Sequence, residues 1–269
     1  MNNLRDEVIN MEKHAKHELR YFFISMASVL VVLGLWWIAS ENKWVNPLFL
    51  PTPEDVWSAF MDIAREGYKD STLLEHIGAS LRRIGIALAF VFVTAVPLGI
   101  LCGRIRWIRA VFDPFIEFYR PLPPLAYYSL LVLFFGIQDT SKIVLLFLSG
   151  FAPLFIATVY SSSRIPVDRL HGAKSLGAKG WRIYVYVIFP SCLPDVLTAL
   201  RTTVGITYAT LVAAEMIAAI SGIGWMVLDA SKYLRSDIIY AAILIMGLIA
   251  ILIDLCLRAL IRRVSPWTE

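Results

Sequence analysis

The sequence predicts an all-α integral membrane protein of six transmembrane helices. Three observations carry that prediction. The chain of 269 residues is 58% hydrophobic with a mean hydropathy of +0.67, far above the balance of a water-exposed domain. Apolar runs nearly free of charge recur along it, each close to the length a bilayer requires. Its 25 Lys and Arg residues are distributed unevenly between alternate connecting segments.

Residues 1–20 are polar and form a short tail. The run Tyr21–Ser40 follows and reads as a retained first helix, because it exceeds the apolar core of a signal peptide and no small-residue cleavage site follows it. Segment 41–80 is connecting chain. Pro51 and Pro53 stop one helix, and Thr52 or Pro53 can start another over 54–65. There Val56, Trp57, Phe60, Met61 and Ala64 recur at helical spacing, so the helix is expected either to lie on the membrane face or to pack on its neighbours.

A core over 81–261 holds the remaining spans: Leu81–Gly103, Leu122–Gly136, Ile143–Tyr160, roughly Asp195–Ile220, and Ile238–Leu257. Leu122–Gly136 is short, so its helix is expected to begin near Pro114 or Ile116 and to bend at Pro121, Pro123 and Pro124. Arg82 and Arg83 head the second span, where they either anchor it by snorkelling or meet an anionic solute. A tail over 262–269 closes the chain.

With the N-terminus inside, segments 1–20, 104–120, 161–182 and 258–269 hold sixteen Lys and Arg against six in the outer segments. That bias predicts both termini in the cytoplasm. The pI near 9.0 is then a topology signal, and no basic patch interleaved with aromatics points to nucleic acid. Cys102, Cys192 and Cys256 lack ligand spacing, and no P-loop, Gly-rich nucleotide fingerprint or metal cluster is present. No cofactor is expected on this chain, and no catalytic residue.

The fifth span carries the most polar chemistry. Arg201, Tyr208 and Glu215 fall seven apart, within an arc of about 40°. They are candidates for a translocation path, or else two end-of-helix charges near the interfaces. Arg201 and Glu215 are separated by about 21 Å along the axis, so each needs its own partner. Thr203, Thr207 and Thr210 form a second stripe, and Gly205, Ala209 and Ala213 a small-residue face suited to close packing.

Between the fourth and fifth apolar runs lies a polar, basic insert, 164–182. Val167 to Leu176 can form a short helix, turned off by Gly177 and Gly180. Val167, Leu170, Ala173 and Leu176 share one side, which suits a helix laid into a groove on another protein.

That insert resembles the cytoplasmic loop of ABC importer permeases, patterned Glu-Ala-Ala, three residues, Gly, nine residues, Ile, one residue, Leu-Pro. Aligned on Gly177 and Pro190, the chain offers His171-Gly172-Ala173, Lys174-Ser175-Leu176, Gly177 and Val187-Ile188-Phe189-Pro190. His171 replaces the Glu, Gly172 the first Ala, Val187 the Ile and Phe189 the Leu. The runs N-P-L-F-L-P-T-P-E-D-V, D-P-F-I-E-F-Y-R-P-L-P-P-L-A-Y-Y-S-L, F-G-I-Q-D-T-S-K-I, S-L-G-A and L-V-A-A-E-M-I-A-A-I-S-G-I-G-W-M extend the resemblance over about 45–265. They are similar to the nitrate, sulfonate and taurine branch, and most similar to taurine permeases. Relatives in that branch also carry thiamine precursors and aromatic acids.

The resemblance implies a type I ABC importer permease fold with a cytoplasmic coupling helix. It implies a bacterial inner-membrane protein that pairs with a second copy of itself around the pore. It also implies a cytoplasmic ATP-binding subunit dimer, which uses ATP and Mg, and an external solute-binding protein. His171, Gly172, Ala173, Lys174, Ser175, Leu176 and Gly177 are the coupling candidates. Two rivals remain at this point: a secondary transporter relaying protons through Glu215 and Asp254, against which no inverted repeat is evident, and a membrane scaffold whose insert only docks a partner.

Overall fold

The computed structural model describes the backbone of residues 2–264, and side chains from residue 20 onward except Phe22. Residue 1 and residues 265–269, the end of the expected C-terminal tail, lie outside it. The described chain is helical throughout, with no strand. Five segments are long and apolar enough to cross a bilayer: Phe23–Glu41, Leu73–Arg104, Asp139–Ser163, Trp181–Ala218 and Ser236–Val264. A sixth apolar helix, Pro124–Phe135, has 12 residues.

Helix α1 (Asn2–Glu41) runs through the polar tail into the first span without a break. It stands apart from the bundle, with 6% of its apolar window buried. Near its C-terminal end Trp36 Nε1 donates to the Pro51 carbonyl at 3.1 Å, and the Trp36 ring stacks on Tyr240.

Helix α2 (Pro53–Glu66) starts where the prolines predict. Thr52 and Asp55 form a reciprocal capping box with Pro53 in the first turn. Its buried stripe is Val56, Ala59 and Ile63, packed on α10 (Ile223–Lys232) and α11 (Ser236–Val264). This corrects the predicted stripe: Trp57 is exposed and stacks on Phe60 along the outer side. Packing on neighbours, rather than surface lodging alone, holds α2.

Helix α3 (Leu73–Arg104) begins eight residues before the predicted Leu81, because a second capping box, Thr72 with Glu75, nucleates two polar turns that hydropathy does not register. It packs along α6 (Asp139–Ser163). A Cβ on Gly103 would sit 1.8 Å from Ser162 Oγ, and one on Gly99 2.7 Å from Thr158 Cβ. Glycine four apart therefore lets the two backbones touch.

The third apolar segment differs from the expectation of one bent helix. It is two helices, α4 (Arg106–Tyr119) and α5 (Pro124–Phe135), separated by Arg120–Pro123. Pro121, Pro123 and Pro124 supply no N–H groups, and Pro123, ahead of Pro124, is extended at ψ 128°, so the chain breaks rather than bends.

Helix α7 (Val167–Ser175) forms the insert. After a single turn, α8 (Trp181–Ile183), the chain passes through a π-helical stretch, Tyr184–Ile188, into α9 (Phe189–Ala218). Pro190 has no N–H for the Tyr186 carbonyl, and the Phe189 N–H reaches back to Tyr184 instead. Helix α9 thus starts six residues earlier than the predicted Asp195, and Pro194 is absorbed within it. The main core joins α3, α4, α6, α7 and α9 through Val91, Ile100, Ile116, Phe155, Leu170, Ile188 and Val196.

Candidate functional site

Two regions collect the chemistry the sequence singled out, one at each end of α9.

At the N-terminal end of α9, α7 is fixed by two contacts. Leu170 is 7% exposed and belongs to the main core, and Arg169 Nη1 donates to Ser191 Oγ, near the head of α9, at 3.1 Å. The helix ends in a Schellman turn: Gly177 N–H donates to the Lys174 carbonyl and Ala178 N–H to the Ala173 carbonyl. Gly177 adopts φ +85° there, a conformation open to glycine at little cost. The predicted apolar side is divided. Leu170 turns inward and Ala173 is half-buried, while Val167 is exposed and Leu176 is 91% exposed. His171, Gly172, Lys174 and Ser175 are exposed, and Ser175 Oγ donates to the His171 carbonyl. A Cβ on Gly172 would meet nothing within 4 Å. The outer surface of α7 is therefore unobstructed by its own chain.

At the other end, Glu215 is 1% exposed and Arg83 is 3% exposed. Arg83 Nη1 donates to Glu215 Oε1 at 2.6 Å and to the Ser221 carbonyl at 2.8 Å, while its Nε donates to Asp139 Oδ1 at 2.7 Å. Ser80 Oγ donates to Glu215 at 2.7 Å, and the Gly224 N–H does so at 3.0 Å. The Gly222 N–H donates to His76 Nδ1 at 3.1 Å, which fixes the neutral tautomer that offers its Nε2–H to the Tyr68 carbonyl. Arg82 pairs with the other oxygen of Asp139. The cluster stitches α3, α6, α9 and the α9–α10 turn together.

The turn has to be glycine. A Cβ on Gly222 would lie 2.4 Å from the Glu215 carboxylate carbon, and one on Gly224 2.5 Å from the Val212 carbonyl. The run from Glu215 to Gly224 is thus one device: a carboxylate wrapped by the turn that follows it.

Arg201 and Tyr208 meet different partners. Arg201 forms a two-pronged pair with Asp254, which Arg258 also approaches at 2.8 Å. Tyr208 donates to the Met246 carbonyl at 2.9 Å. Both line a cavity of about 100 Å³ between α9 and α11. Glu215 does not. The three residues share a helix arc, but that arc opens onto two unrelated environments. Glu215 and Asp254 each sit against an arginine, the first near the end of α9 and the second beside its middle at Arg201, and do not form a relay. The small-residue face is likewise not a packing face within this chain, since Gly205 and Ala209 are exposed. The Thr stripe packs instead, with Thr203 and Thr207 against Gly150.

The sequence reading missed Arg83 as the partner of Glu215, and missed Asp139, Ser80 and His76. A signal existed for Arg83 alone: one of two adjacent arginines must face the bundle on a helix. Nothing in the sequence marks the others as partners of Glu215.

The fold and these motifs define the class. Residues 95–269 match the model of the binding-protein-dependent transport system inner membrane component, and the chain belongs to that family, the permease subunits of ABC importers. Within it, the chain falls in the taurine, sulfonate and nitrate branch. It is 42% identical over 249 residues to the taurine transport system permease protein TauC of Escherichia coli (strain K12), covering 92% of this chain and 90% of that one. It is 31% identical over 236 residues to the E. coli (strain K12) chain named as an aliphatic sulfonates transport permease, SsuC, covering 88% of each. Among solved structures, an inward-facing MetNI methionine ABC transporter superimposes with a TM-score of 0.63 at 18% identity, over 72% of this chain and 96% of that one. The protein is a transport component of the inner membrane, and the secondary-transporter and scaffold alternatives fall away.

Proposed function

We propose that this chain is the pore-forming half of an ATP-driven importer for a small organosulfonate such as taurine. The observation that carries the solute class is the near full-length similarity to a taurine permease. In this reading two copies enclose the path, an external binding protein delivers the solute, and both termini lie in the cytoplasm, as the excess of basic residues in the inner segments supports. ATP and Mg bind the partner subunit, where hydrolysis occurs.

Helix α7 is the lever. His171, Gly172, Ala173, Lys174, Ser175, Leu176 and Gly177 form the face offered to the ATP-binding subunit. A leucine as exposed as Leu176 on a water-facing helix is the kind of anchor that a partner's groove takes up. Leu170 and the Arg169–Ser191 bond make α7 move with the head of α9. A displacement imposed by the nucleotide subunits is then passed along α9. At its far end the Arg83–Glu215 cluster holds the outer turn shut or releases it, while Arg201 and Tyr208 border the path nearer the cytoplasm.

The test is reconstitution in vesicles with the ATP-binding subunit and the binding protein. Taurine-loaded binding protein should stimulate hydrolysis and drive taurine inward against a gradient. If no sulfonate is accumulated while nitrate or an aromatic acid is, the solute assignment is wrong.

A further inference from the structure

The basic insert does not end with α7. Between Arg164 and Arg182 the sequence places five Lys and Arg residues against Asp168 alone. Two of the five are engaged within the chain: Arg164 lies over the Tyr160 ring at 3.8 Å, and Arg169 donates to Ser191. Lys174, Lys179 and Arg182 are exposed, and among the described residues none of them has an ion pair or a side-chain hydrogen bond. Three cations within nine residues, with no carboxylate of this chain paired to them, make a surface that attracts anionic groups.

The same segment exposes large apolar side chains. Besides Leu176, Trp181 is 65% and Tyr186 70% exposed, with ring centroids 6.3 Å apart. Arg182 follows Trp181 and precedes Tyr186 by four, so the three sit together at the start of the helical run that leads into α9. Bilayer contact does not account for them. Helix α6 has 25 residues, more than the ~20 that span a hydrocarbon core, so its last turn stands at the edge of that core or beyond it. There Ser161 Oγ donates to Asp195 Oδ2 at 2.6 Å. Tyr186 and Trp181 precede Asp195 by nine and fourteen residues, roughly 13 and 21 Å farther along the helix. That is past a headgroup layer of about 5–8 Å.

We infer that the docking surface has two parts, α7 and the Trp181–Tyr186 stretch, and that the ATP-binding subunit it fits is acidic there. Carboxylates of that subunit meet Lys179 and Arg182, and an apolar pocket takes Trp181. That the occupant is the ATP-binding subunit rests on the proposed function; the sign of its charge rests on this chain alone. Enclosed aromatic side chains and arginine dominate binding energy at interfaces, and charge complementarity speeds encounter and rejects mismatched partners. The two parts are joined by a turn in which Gly177 and Gly180 have φ of +85° and +56°. A partner holding α7 alone would swing it about that turn. One that also holds Trp181–Tyr186 moves α7 and the start of α9 together, and a subunit with a basic rim is refused.

The test is assembly of the detergent-solubilised chain with its ATP-binding subunit, with the affinity measured at about 50 and about 500 mM NaCl. Affinity should fall about tenfold across that range. Lys179→Glu combined with Arg182→Glu should weaken binding at least about tenfold at the lower salt and remove most of the salt dependence. Trp181→Ala should weaken it about tenfold at both. Each variant should keep the thermal midpoint of the isolated chain. Binding that is indifferent to salt and to the double reversal, or that tightens on reversal, overturns the inference. So does a reversal that leaves the ATP-binding subunit bound as before but lowers the chain's association with phosphatidylglycerol nanodiscs, which would make the patch a membrane contact. Leu176→Asp separates this inference from the lever. Loss of solute-stimulated ATPase in that variant, with normal binding and stimulation in the Trp181 and Lys179/Arg182 variants, keeps α7 as the lever and removes the second contact. If the unaltered chain binds no ATP-binding subunit, both readings fall.

Discussion

Glu215 and Arg201 occupy one helix and carry opposite charges, yet their situations differ in kind. Glu215 is enclosed by Arg83, Ser80 and the Gly224 N–H, so removing its carboxylate leaves buried Arg83 with Asp139 alone and leaves the Gly224 N–H without its acceptor. Glu215→Ala is expected to destabilise the chain by about 3–5 kcal/mol, read as a lower midpoint of thermal unfolding in detergent. Arg201→Ala leaves Asp254 with Arg258 still beside it and should shift the midpoint much less. An equal shift in the two variants would mean that the buried cluster has no special place in the fold. From sequence, both residues were visible as charges in need of partners, and the separation along the helix excluded their pairing. Which partners they take was not visible, because Arg83 and Asp139 come from helices whose relative rotation only packing decides.

At the scale of elements, α7 was largely legible. Its limits, its terminating glycine and its inserted position follow from local rules. The orientation of its apolar side does not, since Leu170 faces the core and Leu176 faces away. Gly177→Pro tests the element: proline is held near φ −65°, whereas Gly177 needs φ +85°, and its N–H donates to Lys174. The variant should still insert in the membrane but lose solute-stimulated ATPase in the reconstituted complex. Normal stimulation would remove α7 from the coupling role. The break between α4 and α5 is the opposite case. Three prolines announce an irregularity, but whether a helix bends or parts there depends on whether the freed backbone groups find other surroundings, here a cavity wall.

At the scale of the whole molecule, a chain of bonds runs from the α2–α3 connection into the bundle. Lys69 pairs with Asp229 at 2.5 Å, and Tyr68 donates to the same carboxylate at 2.9 Å. The Tyr68 carbonyl and the Gly222 N–H share His76, and the turn at Gly222 closes on Glu215. Burial pushes the Asp229 carboxyl up, but the hydrogen bonds from Lys69 and Tyr68 and the nearby Lys69 charge outweigh it and hold it below the usual carboxylate range. Such a group stabilises the folded state at any pH above its unfolded value and loses that contribution as pH falls through the lowered folded value. The stability difference between the native chain and Asp229→Asn should therefore be constant from neutral pH down to about 4 and vanish below it. Thermal midpoints measured across that range decide the matter, and a difference that persists in acid would rule out this latch.

The sequence by itself determined the class of protein, the number and order of apolar segments, the amphipathic helix after Pro53 and the inserted α7 with its Gly177 stop. These follow from hydropathy, from glycine and proline backbone rules, and from capping, all of which act within a few residues. Only the tertiary structure decided which charges meet. It paired Glu215 with Arg83 and Arg201 with Asp254, turned the Thr stripe rather than the Gly205 face inward, and opened a cavity at Arg120–Pro123. The physical reason is that a charge within a membrane protein specifies only that it must be satisfied. The identity of its partner depends on the rotation and height of neighbouring helices, which close contacts such as Gly103 on Ser162 set from distant parts of the chain.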